Sequence, residues 1–415
     1  MTQLQLEAAP KAGGAQAGAA VATSGAARSP AIGRKLAARL VDARALAAIA
    51  PALADLADRA LEPNPFLHPA FFLAVLDHVA EAEELVALVV GDETAPGGLV
   101  GFLPLRAAPL HRRLPLRVLR SFAHVYGFAD TPLVDAAAVP DLVEAIGDRL
   151  ASGGMRALHL TGLPVDGPLW PALTDGLSDR GIPWLEHHRT ERALLVPKSD
   201  AATYLASALI KKRRKELARQ RRRLAEQGAL ELRRLEPGGD VDRWTGDFLE
   251  LEARGWKGRA GTAMVQAHPP FFTAMARAMH GIGRLEMLGF FLDDRPIAMK
   301  CNLLHRTSGD GPCARFAFKI AFDERFDAFS PGVLLELEQI AALHEPDERG
   351  GWMDSCASEE HFMINRLWTG RRHLASLLVA PPSTSGRITI AGARALARLR
   401  RRPASAEAPI AGESP

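Results

Sequence analysis

Apolar and polar side chains alternate most regularly between Arg315 and Asp323. Phe316, Phe318, Ile320 and Phe322 fall on one side, and Arg315, Ala317, Lys319, Ala321 and Asp323 on the other. That period of two predicts a strand with one buried face and one mixed face. After a short loop, Ser330-Pro331-Gly332 opens an apolar run through Leu337. Serine suits an N-cap and proline the first helical position, so a helix is expected to start there. Unpaired N–H groups and the positive end of the dipole make such a start a candidate anion site, with Gly332 allowing close approach.

The same reading along the chain predicts a helix over Leu36–Ala60, the breaker Glu62-Pro63-Asn64-Pro65, and a helix from Pro69. Strands follow at Leu85–Val90, Leu99–Arg106 and Leu116–Ala123. A helix near Pro140–Leu150, a strand at Ala157–Leu160, a helix at Trp170–Leu177 and a strand at Ala193–Val196 complete the half. From Ala229 the order repeats: strand Leu230–Leu235, helices Trp244–Arg254 and Pro269–His280, and strands Leu285–Leu292 and Ile297–His305. The Arg315 strand and its helix come next, then Trp352–Ser355, Asn365–Arg371 and Leu374–Val379. Repeated element order without repeated residues points to an internal duplication.

Between the halves, Ser199–Gly228 reads as one helix whose Ile210, Leu217 and Leu224 make a narrow apolar seam. The rest of it, Lys211–Arg223, is basic except for Glu216 and a few neutral residues. A solvated helix docked by its seam accounts for this pattern. So does a footprint for a polyanion such as nucleic acid, an anionic lipid or an acidic glycan. Beyond this helix the only lysines are Lys257, Lys300 and Lys319 in an arginine-rich chain. A lysine's pKa falls readily on burial, so these three are candidates for chemistry.

With 415 residues, 47% of them hydrophobic and 24% charged, the chain has the composition of a two-domain globular protein. Cys301, Cys313 and Cys356 show no paired spacing, so neither a disulfide framework nor a metal site is expected, and a reducing cytoplasm is. No apolar run has the length of a membrane span. Gly255-Trp256-Lys257-Gly258 ends a helix. It reads either as a left-handed cap with Trp256 on the core or as a Trp–Lys pair held for a ligand. Asp354, after a short strand, is a candidate general base, and Cys356 a nucleophile or a packing residue. His124 and Tyr126 beside Gly127 suit a pocket rim. There is no GxSxG, HExxH, Walker or GxGxxG motif, which removes most hydrolases, kinases and dehydrogenases.

KRRKELARQRRRLAEQG, LEARGWKGRAGTA, FKIAFDERFDAFSPGVLLELE and DSCASEEHFMINRLWTGRR, in that order, together with HVYGFADTPLVD, resemble the GNAT-fold acetyltransferases of the cellulose-biosynthesis CelD type, relatives of the FemAB peptidyltransferases. The resemblance runs from about Leu36 to Ala380. It implies an α/β fold of tandem GNAT-like domains, each a mixed sheet flanked by helices. A disordered leader over residues 1–35 would precede a degenerate domain at 36–198. An acetyltransferase domain at 199–385, with the basic helix at 207–227, and a disordered basic tail at 386–415 would follow. It further implies acyl transfer from acetyl-CoA, without a metal, to an amine or hydroxyl of a glycan or envelope precursor.

On that reading Ser330, Pro331, Gly332 and Lys319 bind the donor, and Asp354, Lys319, Asp323 and Lys257 serve the chemistry. Trp256, Lys257, Lys300, His124 and Tyr126 face the acceptor. The Q/R-x-x-G-x-G/A pyrophosphate loop of ordinary GNAT enzymes is replaced here by Ser330-Pro331-Gly332. The alternatives are an aminoacyl-tRNA-dependent transferase, with tRNA on Lys211–Arg223, and a non-catalytic binding protein with two degenerate domains.

Overall fold

The structure, a computed structural model, describes residues 36–401 apart from 80–83, 93, 94, 96, 112, 113, 154, 262, 263, 265–267, 307–311 and 349. The expected leader, and the part of the expected tail beyond Arg401, lie outside the described residues. The first half runs β1 (Ala38–Asp42), α1 (Ala50–Arg59), α2 (Pro69–His78), β2 (Leu85–Gly91), β3 (Leu99–His111), β4 (Leu114–Ser121) and a short β5 (Leu133–Val134). It continues through α3 (Val139–Ala151), β6 (Leu158–Pro164), α4 (Leu169–Asp179) and β7 (Trp184–Leu195).

Two helices, α5 (Ala201–Ala208) and α6 (Lys211–Ala225), lead into the second half. That half runs β8 (Leu230–Arg234), α7 (Val241–Arg254), α8 (Pro269–Gly281), β9 (Leu285–Leu292), β10 (Arg295–Arg306), β11 (Cys313–Phe322) and α9 (Pro331–Leu343). It ends with β12 (Trp352–Asp354), α10 (Phe362–Leu367) and β13 (Gly370–Val379), and α11 (Thr384–Arg401) follows.

All the strands join one mixed sheet in the order β1-β2-β3-β4-β6-β13-β7-β12-β11-β10-β9-β8, with β5 on β3. The order is a palindrome. In each half four antiparallel strands are followed by one parallel neighbour, β6 on β4 and β12 on β11. The last strand of each half then crosses over: β7 pairs with β12, β13 pairs with β6, and the two pair with each other from Gly370–Leu194 to Val379–Trp184. The exchange covers the inner edge that each half would otherwise expose.

One sheet face carries α1, α2, α7 and α8 over a core drawn from both halves, including Phe66, Phe71, Phe72, Phe271, Phe272, Phe316 and Phe318. Phe71 meets Phe271 edge to face at 5.7 Å, an arrangement worth about 0.5–1.5 kcal/mol beyond burial. The other face packs α3 and α4 over the first half and α9 over the second.

Several elements differ from expectation. Residues 38–42 are a strand rather than the start of a helix, because Ala38–Asp42 pairs along β2, and tertiary pairing outweighs helix propensity. The basic helix begins only at Lys211, after a break at Leu209–Ile210. Leu217 and Leu224 are buried as expected, whereas Ile210 is 73% exposed. The start of the expected disordered tail is α11, anchored by buried Ile390 in a small cluster with Val118, Ala157, Leu378 and Ala380.

Candidate functional site

The parallel pair between β11 and β12 is short. It joins Ala314 to Trp352, Arg315 to Met353 and Phe316 to Asp354, and there β12 ends while β11 continues to Phe322. The sheet therefore splays beside β11, leaving an open strand edge that leads toward the start of α9. Across the other edge, Cys301 faces Lys319 but Asn302 faces Ala317, so Phe318 is an extra residue in a β-bulge.

The bulge corrects the expected alternation. Phe316, Phe318 and Ala321 lie in the core between the halves, while Ile320 and Phe322 turn toward α9, within 3.8 and 3.5 Å of where a Cβ on Gly332 would stand. Lys319 is thereby placed on the same side as Phe318, facing the first half. Its Nζ lies 5.4 Å from the Tyr126 ring centroid, 5.8 Å from Phe128 and 5.8 Å from Phe318.

The first half reaches this site through one loop. β4 stops at Ser121, soon after its parallel pairing with β6, and the chain that would prolong it becomes the loop carrying His124, Tyr126 and Phe128. Tyr126 stacks on Phe271 at 4.3 Å and shares a 2.9 Å hydrogen bond with His268 Nδ1. Its backbone N–H donates to His124 Nδ1. A Cβ on Gly127 would sit 2.7 Å from His124 Nε2, so this turn requires glycine. Burial pushes the His124 imidazole down to about 4, so it is neutral near pH 7.

From the second half, α7 ends at Gly255 in an extended conformation rather than the expected left-handed cap. A helical turn, Trp256–Arg259, follows; the Trp256 side chain lies outside the described residues. Gly258 packs on the Ala253 carbonyl, which a Cβ would overlap at 1.7 Å. Lys257 Nζ donates to Glu252 Oε1 at 2.9 Å, and Glu252 Oε2 accepts from Met264 N–H at 2.8 Å. Lys319 is held below the ordinary lysine pKa first by burial and then by the Lys257 charge, with Glu252 acting the other way. Lys257→Met should therefore move the ionisation of Lys319 upward. If the cation is the working form, the alkaline limb of the pH–rate profile should shift to higher pH, and an unmoved limb would detach Lys319 from it.

At the start of α9, Ser330 has φ 51° and ψ 52° and its side chain makes no capping bond, contrary to expectation. Its carbonyl accepts from Leu334 N–H. Pro331 and Gly332 are buried against the sheet. In the first half the matching stretch is occupied by its own acid: Asp135 accepts from Ala137 N–H and is paired with Arg59.

Three expected site residues are taken up elsewhere. Asp354 is fully buried, with Arg192 on both oxygens at 2.6 Å and Arg372 Nη1 on Oδ2 at 2.8 Å, and it also accepts from Cys356 N–H. A carboxylate so occupied anchors the exchanged strands and is not free to take a proton. Asp323 accepts from the Arg325 backbone and guanidinium, which hold its carboxyl below the usual range, making it a poor base. Lys300 lies beneath α9 on the opposite sheet face, 2.6 and 2.7 Å from the Glu336 oxygens, and faces no acceptor. Burial, then the neighbouring Asp354, push the Cys356 thiol up, so it is a packing residue.

The structure thus brings together His124, Tyr126, Lys257 and Lys319. It adds three residues that sequence reading missed: Glu252, five positions before Lys257 in LEARGWKG; His268, just before the Pro-Pro start of α8; and Arg192, which donates to the Phe128 carbonyl at 2.6 Å. Only Glu252 had a local signal, its closeness in the chain to Lys257.

Residues 211–362 match the family model described as an acetyltransferase (GNAT) domain. None of the curated proteins matches. Among solved structures, a conserved protein of unknown function from Bacteroides thetaiotaomicron superposes with a TM-score of 0.48 at 9% identity, covering 83% of this chain and 99% of that one. The C-terminal domain of a putative lysylphosphatidylglycerol synthetase from Agrobacterium fabrum gives 0.46 at 13%, covering 84% and 97%. A tandem GNAT protein from the clavulanic acid biosynthesis pathway gives 0.40 at 18%, covering 84% and 99%. Likeness at these levels carries no function from one chain to another. The second half is similar in sequence to GNAT acetyltransferase domains, and the first half repeats its strand order, so the mixed α/β fold is of the tandem GNAT type.

Proposed function

We propose that the protein is an acyltransferase with one donor site, in the second half, that moves an acetyl group from acetyl-CoA to an amine or hydroxyl of a glycan or envelope precursor, as in the CelD type. The observation that carries this reading is the splay of β11 from β12 with a bulge at Phe318. An open strand edge can take the pantetheine amides as an added strand would be taken, and its N–H groups can meet the thioester oxygen. The pyrophosphate would lie at the start of α9. Lys319 would offset the charge that develops on the thioester oxygen as the acceptor attacks. The Tyr126–His268 pair would take the acceptor's proton and pass it to the coenzyme A thiolate as the carbon–sulfur bond breaks, so that the thiol leaves. Direct attack needs no covalent intermediate, so positioning supplies much of the rate. On this reading the first half holds no donor, because β4 ends where β11 continues. Activity would belong to the cytoplasm; among the described residues no helix is long and apolar enough to cross a membrane.

Gly332→Asp tests the donor site. The position has an unstrained φ, and a Cβ there meets only ordinary contacts. Coenzyme A affinity of the folded protein should fall at least tenfold, while Gly332→Ala keeps it and melts close to the parent; the aspartate, set against Ile320 and Phe322, should melt lower. Affinity that survives the aspartate would make this helix start purely structural.

A second reading, aminoacyl transfer from tRNA, is favoured by one feature: α6 leaves Lys211, Lys212, Arg214, Lys215 and Arg222 exposed. Arg219 and Arg221 are already paired, with Glu216 and Glu338. Replacing Lys211, Arg214, Lys215 and Arg222 with glutamine should weaken tRNA binding and flatten its salt dependence without unfolding the chain. An unchanged salt slope would reduce α6 to a solvated face.

A further inference from the structure

Outside that site, β3, β4 and β6 set three basic side chains side by side. Arg106 stands directly opposite Arg120, and Arg120 directly opposite His159. Like charges across neighbouring strands repel, and Arg120 is held below its ordinary pKa by burial and then by Arg106. One carboxylate, Asp130, faces the cluster, and it accepts from Thr161 Oγ1 at 2.5 Å.

The donors are already aimed. Arg120 Nε donates to His159 Nδ1 at 2.9 Å, which leaves the imidazole proton on Nε2. His159 is 5% exposed, and its Nε2 has no hydrogen-bond partner among the described residues. It stacks on His187 at 4.7 Å, whose Nε2 is likewise buried and unpaired, as is Arg106 Nε. Buried donors in native proteins are satisfied almost without exception, so the unpaired N–H groups of His159 and Arg106 each call for an acceptor.

We propose that the Arg106–Arg120–His159–His187 cluster binds a tetrahedral oxyanion, the phosphoryl group of a small molecule, at a site separate from the donor site. Two guanidiniums offer forked donors that match phosphate oxygens, and the imidazole N–H adds a third direction that a planar carboxylate would not use. Arg106, Arg120 and His187 are half-buried, and His188 and Arg189 beside them are exposed, so a small ligand has a way in.

The test is calorimetric titration with inorganic phosphate and, in parallel, glycerol 1-phosphate, using the full chain and the variants Arg120→Gln, Arg106→Gln, Asp130→Asn and Gly332→Asp. One saturable site per chain is expected. Arg120→Gln or Arg106→Gln should weaken it at least tenfold at an unchanged melting temperature, Asp130→Asn should tighten it, and Gly332→Asp should leave it as it is. Tighter binding of inorganic phosphate would mark free phosphate as the ligand, and tighter binding of the ester a phosphorylated metabolite. Should Arg120→Gln fail to fold, the half-exposed Arg106→Gln decides. Absence of saturable binding to the folded parent would overturn the proposal, as would binding that both arginine variants retain or that Gly332→Asp abolishes.

Discussion

Asp354→Ala should lower stability by about 3–5 kcal/mol, because it leaves two buried guanidiniums without their counter-ion. Arg192 and Arg372 are each only 8% exposed and hold the carboxylate from β7 and β13, the two strands exchanged between the halves. Arg372 also approaches Glu62, whose own carboxyl is pushed up by burial, so it offers poor compensation. A fall in melting temperature of roughly 5 °C is expected for a chain of this length. Asp354→Asn, which keeps the shape and one acceptor, should fall less but in the same direction. Turnover should decline only in step with the folded fraction. A melting temperature that stays put while turnover disappears would return Asp354 to the role of base.

The sequence made parts of this arrangement legible and hid others for physical reasons. The strand and helix of residues 313–343 follow from local pattern, since alternation, Pro331 and the apolar run are all properties of neighbours in the chain. The bulge at Phe318 is not, because it is fixed by which residue of β10 each residue of β11 faces, and that register is a long-range choice. Its consequence is large: without it Lys319 would point toward α9 rather than toward Tyr126. The exchange of β7 and β13 was equally hidden, as Trp184–Leu195 and Gly370–Val379 look alike whether they close their own half or the other. Asp354 at a strand end looked available for chemistry. Only the fold reveals that Arg192 and Arg372 converge on it from distant positions. His124 and Tyr126 lie far along the chain from Lys257 and Lys319, and their meeting between the halves is a product of the shared core.

Lys319→Met should separate stability from turnover most sharply. Burial works against the Lys319 cation, so in the fold its pKa is lowered, with Lys257 adding to the effect. The unfolded chain therefore binds more protons at this position between the folded and ordinary lysine pKa values. Across that window the parent gains stability as pH rises, and below it the buried charge is a net cost. Methionine keeps the apolar stem among Tyr126, Phe128 and Phe318 and removes the charge. The variant should be as stable as the parent or more so near neutral pH, without the alkaline rise contributed by this group. If the ammonium offsets charge on the thioester oxygen, kcat should fall by about 10²–10³, the loss typical of one oxyanion donor. Donor affinity should change little, because the ground-state thioester carries no such charge. Chemical denaturation at pH 7 and pH 9.5, with coenzyme A titration and steady-state kinetics, reads all three quantities. Turnover within twofold of the parent in a folded Lys319→Met protein would mean that the lysine only packs between the halves.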